Sequence, residues 1–109
     1  MLFDTHAHVN FSAYKGEVET TIARAREAGV SVINVGTQID TSKGAVELAE
    51  KYEDGVYAVV GLHPVHTYEQ HLDEEESHFM TREEVFDYEA YKVLAMHPKV
   101  VGIGECGLD

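Results

Sequence analysis

The segment Asp4-Thr5-His6-Ala7-His8 places two imidazoles two residues apart, with a carboxylate just before them. On an extended strand alternate side chains share a face, so Asp4, His6 and His8 are expected to point the same way. Two histidines so placed can converge on one metal ion through ring nitrogens at about 2.0–2.1 Å. A carboxylate beside them suits the outer shell of such a site. The plainer reading is a strand with incidental polar residues. It would leave two imidazoles and a carboxylate without partners on one face, which costs free energy.

Two further segments carry candidate groups. In Gly102-Ile103-Gly104-Glu105-Cys106-Gly107-Leu108-Asp109, Glu105 ends an apolar run, where a carboxylate can ligate or bridge metals. The glycines beside it let backbone approach a ligand closely. Taken alone, Glu105 is equally well a surface residue. Gly61-Leu62-His63-Pro64 closes another apolar run with His63. A lone histidine is more often structural. His66, His71, His78 and His97 have no partner spacing and read as exposed loop or helix-end residues. Cys106, the single cysteine, follows an apolar run and reads as a buried structural thiol. Nothing near it supplies the cationic setting of a reactive thiolate.

These groups need elements to position them. Four β-like runs, at 2–9, 31–36, 56–62 and 99–105, alternate with three helical patterns. Runs two to four are mostly apolar, as in strands covered on both faces. The first helix is expected over 16–28, with Val18, Ile22 and Ala25 at helical spacing and Gly29 as its C-terminal cap. The second follows Asp40 or Thr41 as N-cap, carries Val46, Leu48, Ala49 and Tyr52, and ends at Gly55. The third is expected to start at Thr81, with Glu84 completing a capping box. Its inner stripe would be Val85, Tyr88, Tyr91 and Leu94, and Pro98 would stop it.

The order β-α-β-α-β-α-β implies an α/β fold with parallel strands and right-handed crossovers. The pattern fits half of a doubly wound sheet or half of a (β/α)8 barrel. The long connection from His63 to Met80 follows the third strand. It therefore lies at the C-terminal edge, where α/β proteins place their sites.

Composition narrows the function classes. A chain of 109 residues is one domain or part of one. The formal net charge of -12 opposes broad electrostatic binding of nucleic acid. It leaves room for a nuclease whose metal ions neutralise the scissile phosphate. The acidic run Asp73-Glu74-Glu75-Glu76 reads as a solvated loop. No apolar run approaches the roughly 20 residues that span a bilayer. The start of the chain does not read as a signal peptide, and a single cysteine fits a reducing compartment, so a cytoplasmic home is expected.

Together the three segments resemble the TatD family of metal-dependent deoxyribonucleases, among the amidohydrolase-like barrels. The family's D-x-H-x-H matches at Asp4, His6 and His8. Its G-x-H-P matches Gly61-Leu62-His63-Pro64, and its G-E-x-G-L-D matches Gly104-Glu105-Cys106-Gly107-Leu108-Asp109. The end of the second strand, Asn34-Val35-Gly36-Thr37, is also similar. The motifs fall in order over essentially the whole chain.

The resemblance implies the N-terminal half of a (β/α)8 TIM-type barrel over residues 1–109, two divalent metal ions and a DNA substrate. His6 and His8 would hold one metal, Glu105 would bridge or share both, and His63 would lie near the substrate phosphate. Asp4 would orient a ligand, and Asp109 belongs to the motif without a direct ligand role. Magnesium, manganese, zinc, nickel, cobalt and iron all stay open. So does ester or amide hydrolysis, such as aminoacyl-tRNA deacylation, or a metal-binding half-barrel with an incomplete site. A (β/α)8 barrel takes about 250 residues, and the family's later ligands have no counterpart here. The chain is therefore expected to be a fragment ending after strand four, self-associating through open sheet edges.

Overall fold

Six strands and three α-helices occur among the described residues of the computed structural model, which describes residues 1–67 and 84–107 in full and the backbone of residues 70, 71, 80 and 81. They are β1 (Leu2–Ala7), α1 (Val18–Glu27), β2 (Val30–Val35), α2 (Ile39–Glu50), β3 (Val56–Val60), β4 (Gln70–His71), β5 (Met80–Thr81), α3 (Tyr88–Ala95) and β6 (Val100–Ile103). The four longer strands form one parallel sheet in the order β1-β2-β3-β6. Parallel neighbours need crossover connections, and the three helices supply them. This open sheet is consistent with the N-terminal half of a (β/α)8 barrel. The two-residue strands β4 and β5 pair as an antiparallel ribbon inside the connection from β3 to α3.

Alternation builds the core. Val56, Ala58 and Val60 of β3 point to the helices and are fully buried. Val32 lies beside Val56 in register, and Ile22 of α1 with Ala45, Leu48 and Ala49 of α2 pack on them. Full burial of one valine or isoleucine side chain contributes about 1.5–3 kcal/mol. The sheet edges are bare by contrast. Leu2 and Phe3 on β1 and Val101 and Ile103 on β6 are all more than half exposed. The expectation that the fourth run is covered on both faces is corrected, because Val100 packs on the core while Val101 and Ile103 alternate onto the uncovered face of the sheet.

The first helix ends as read, with Gly29 at φ +75°. The second starts earlier than expected. Gln38 is its N-cap, and Thr41 Oγ1 accepts the backbone N–H groups of Thr37 (2.8 Å) and Gln38 (3.1 Å) from inside the first turn. It ends at Glu50, and Gly55, at φ +79°, makes the turn into β3.

The third helix is shorter than its pattern. It starts at Tyr88, with Asp87 Oδ1 accepting the Ala90 N–H at 3.2 Å. Thr81 and Glu84 do not head the helix. Thr81 belongs to β5, and the Glu84 carboxylate is engaged elsewhere, on the Ile39 N–H. Val85, placed in the inner stripe, is exposed outside the helix. The acidic run 73–76 and His78, together with the side chain of His71, lie outside the described residues. Among the described residues no helix is long and apolar enough to cross a membrane.

Candidate metal centre

The site is built at the C-terminal tips of the parallel strands. Asp4 pairs with Val32 but Ala7 pairs with Asn34, so β1 carries one extra residue against β2. Such a bulge breaks the period-two alternation. Asp4 accordingly does not join the histidines as a ring orienter. Its Oδ1 accepts the backbone N–H of His6 at 3.2 Å. Beyond the strand, Asn34 Oδ1 continues the pairing by accepting the Val9 N–H at 2.9 Å.

His8 is fixed from two sides. Its ring stacks on Phe11, centroids 4.3 Å apart at 24°. Its Nδ1 lies 2.9 Å from the carbonyl oxygen of Val35. A carbonyl can only accept, so the ring donates through Nδ1. Neutral His8 therefore presents a bare lone pair at Nε2. His6 meets the His8 ring edge-on at 5.0 Å.

The tip of β6 brings in the carboxylate. Gly104 N–H donates to Val60 O and Glu105 N–H to Gly36 O, both at 2.9 Å. The Gly104–Glu105 peptide is cis. Gly61 makes this approach possible, since a Cβ there would lie 2.6 Å from Gly104 O. Ser42 of α2 brackets Gly61, accepting from its N–H at 3.2 Å and donating to its carbonyl at 3.3 Å.

Three imidazoles meet at Glu105. Its Oε2 lies 3.2 Å from His6 Nε2 and 3.5 Å from His8 Nε2, and its Oε1 lies 3.5 Å from His63 Nε2. Ligand atoms of His6, His8 and Glu105 all lie within 4.8 Å of one another. A tetrahedral ion with bonds of about 2.1 Å separates its ligand atoms by about 3.4 Å. The 3.2 and 3.5 Å separations of the two imidazoles from Glu105 Oε2 lie close to that edge. Two imidazoles and a carboxylate are a donor set for zinc, manganese, cobalt, nickel or iron.

His63 stands apart from this trio. It heads the connection after β3, with its N–H donating to Thr37 O at 2.7 Å. Its Nδ1 accepts the Val65 N–H at 3.0 Å. Neutral His63 therefore carries its proton on Nε2, which faces Glu105 Oε1 at 3.5 Å, beyond ordinary hydrogen-bond length. His6, His63 and Glu105 line a cleft of about 380 Å³, with Thr5, Val59 and Cys106 among its walls. Asp109 lies outside the described residues.

Two readings of the sequence are corrected here. Cys106 is exposed, because β6 ends at Ile103 and the chain has left the sheet before the thiol. His66 is buried at 4% exposure, because the 3-10 turn Pro64–Thr67 folds it inward. Burial first, then His63, hold its pKa below the usual histidine value against the opposing pull of Glu84 and Glu105. His97 behaves as read, at the end of α3, its Nδ1 accepting the Lys99 N–H at 3.0 Å.

Sequence reasoning missed Phe11, the Val35 carbonyl, Ser42 and the pair Glu84–Tyr91. The Tyr91 hydroxyl donates to Glu84 Oε2. Burial, then Glu84, push that phenol above its usual pKa, so it stays a donor. Only the spacing His8-x-x-Phe11 offered a signal, that of an aromatic one turn past a ligand.

Comparison with known proteins places this geometry. Residues 3–109 match the family described as TatD related DNase. The chain belongs to the TatD family. It is 41% identical over 110 residues to an uncharacterized metal-dependent hydrolase, YabD, of Bacillus subtilis, covering all of this chain and 38% of the relative. It is 36% identical over 108 residues to another such hydrolase, YjjV, of Escherichia coli, covering 97% of this chain and 37% of the relative. The 3'-5' ssDNA/RNA exonuclease TatD of Edwardsiella piscicida is 32% identical over 109 residues, covering 99% and 37%. This TatD-family chain thus spans less than two fifths of the length of these relatives.

Proposed function

We propose that this chain supplies one side of the active site of a divalent-metal-dependent hydrolase that cleaves phosphodiester bonds of DNA. One observation carries the reading: His6, His8 and Glu105 converge with metal-ligand spacing. His6, His8 and Glu105 would hold the ion, and Glu105 has a second oxygen available to share with another. A bound divalent ion supplies Lewis acidity and charge neutralisation at phosphoryl oxygens. The rest falls to the chain's own groups. His63 presents an Nε2–H at the cleft, suited to orienting a phosphate oxygen. Glu105 keeps the imidazoles of His6 and His8 aimed at one point. With a formal net charge of -12, substrate would be held locally by these groups and not by a basic surface.

The name of the Edwardsiella piscicida relative supports single-stranded DNA as the first substrate to try. Residues 1–109 would be the N-terminal part of the barrel domain, working in the cytoplasm. The test is manganese-dependent cleavage of end-labelled single-stranded DNA, beside Glu105→Ala. Metal-dependent product lost in the variant is expected. Equal cleavage by both, or no metal bound by the wild type, would overturn the reading.

A second reading concerns assembly. The bare residues Leu2, Phe3, Val101 and Ile103 lie on the two edge strands β1 and β6. Such edges pair readily with further strands, and we propose that copies of the 109-residue chain self-associate through them. Sedimentation at increasing concentration should show a rising mass. A constant monomer mass would end this idea.

A further inference from the structure

We infer that Glu84 is a positioning residue for His63, fixing the turn that sets which ring nitrogen carries the proton. The inference rests on the reading above only in giving His63 a part in substrate binding.

His63 heads a connection that leaves β3 and must return to α3. Its first turn closes on itself: Val65 N–H donates to His63 Nδ1 at 3.0 Å and His66 N–H to His63 O at 2.9 Å. The next link comes from far along the chain, where the Glu84 N–H donates to His66 O at 2.8 Å. The Glu84 carboxylate then fastens that junction to two helices. Oε1 accepts the N–H of Ile39, the first residue of α2, at 3.0 Å, and Oε2 accepts the Tyr91 hydroxyl from α3. The Ile39 N–H is one of the orphan donors at a helix start, and a negative charge there is favoured by the helix dipole. Tyr91 is buried against the sheet at 5% exposure, so it is a fixed post.

The chain of bonds therefore runs from α2 and α3 through Glu84 to His66 and His63. Remove the carboxylate, and the backbone bonds of the turn remain, but its fastening to α2 at Ile39 and to α3 at Tyr91 is lost. Glutamine at 84 would retain an acceptor for Ile39. Alanine would retain none. The expected order of effect is Glu, then Gln, then Ala.

The test uses the metal-free 109-residue chain with isotope-labelled histidine. Proton–nitrogen correlation spectra report the tautomer of each ring, and His63→Gln assigns the His63 signals. Wild type should show His63 as the Nε2–H form. In Glu84→Ala its tautomer ratio should shift about fivefold, the worth of one ordinary hydrogen bond. Glu84→Gln should recover part of that shift, and Tyr91→Phe should move the ratio less, in the same direction.

Zinc affinity, titrated in the same samples, should change less than about threefold, since among the described residues no bond joins Glu84 to His6, His8 or Glu105. An unchanged His63 tautomer in a folded Glu84→Ala overturns the inference. Should that variant not fold, an unchanged tautomer in Tyr91→Phe overturns it equally. A fall in zinc affinity as large as the tautomer shift would also overturn it, marking a general loosening. Wild-type chain that binds no zinc would count against the proposed function, while the tautomer comparison still decides this one.

Discussion

His8 and His63 face the same carboxylate and are held in opposite ways. At His8 the far nitrogen meets an acceptor, the Val35 carbonyl, at 2.9 Å. At His63 it meets a donor, the Val65 N–H, at 3.0 Å. So Nε2 is a bare lone pair on one ring and an N–H on the other. The first can ligate a metal. The second can only donate unless its turn is undone. The scaffolds differ as well. His8 hangs just past the end of β1 and is clamped by Phe11, whereas His63 sits on a connection fastened through Glu84. The residue type gives an imidazole, and the partner behind the ring assigns its role.

The largest effects should break the comparison outright if it is wrong. Zinc affinity, measured by calorimetry, should fall more than about 100-fold in His8→Ala and in Glu105→Ala, because losing an outer partner alone costs about 10–100-fold. His63→Ala should cost less than about threefold, because His63 Nε2 lies 3.5 Å from Glu105, too far for the hydrogen bond of an outer partner. Equal losses in His8→Ala and His63→Ala would erase the distinction.

Gly61→Ala should come next. Its Cβ would sit 2.6 Å from Gly104 O, on backbone that cannot swing aside. Overpacking of this kind costs about 1–3 kcal/mol, readable by urea unfolding, and zinc affinity should fall with it as Glu105 is displaced.

The turn behind His63 can be probed by pH. The folded pKa of His66 is depressed, so between that value and the unfolded value of about 6.5 the unfolded chain binds more protons. Stability should be level above about pH 6.5 and fall as pH drops toward the folded pKa. His66→Leu should flatten that part of the profile. An unchanged slope would mean that His66 titrates alike in both states.

The smallest effect should come from Gly44→Ala. This glycine lies inside α2, and a Cβ there would meet nothing closer than Asn10 O at 4.0 Å. Alanine should stabilise by about 0.5–1 kcal/mol, and destabilisation would show that α2 needs the close approach.

Much of this was legible because the signals were local or periodic. Val56, Ala58 and Val60 alternate, and Gly29 and Gly55 mark their turns by needing positive φ. His6 and His8 stood out by their spacing on one strand, and Glu105 as a carboxylate ending an apolar run. The failures share a cause. Thr81 and Glu84 have capping-box spacing, yet Glu84 bonds to Ile39 and Tyr91, which spacing does not reveal. Asp4 has ligand-face spacing, yet the bulge before Ala7 shifts the alternation. His66 and Cys106 exchanged their expected environments because a turn folded one inward and a strand end released the other.

From the residues alone come the order of the four long strands and three helices, the parallel sheet they form and the residue types able to bind a metal. Those follow from hydrophobic period and from the chemistry of imidazole and carboxylate, properties each residue carries with it. Only the tertiary structure decided that His6, His8 and Glu105 share one point, that Gly61 lets the tips of β3 and β6 close on each other, and that His8 and His63 carry their protons on opposite nitrogens. Each of these depends on which backbone group stands behind a side chain, and folding alone brings such distant groups together.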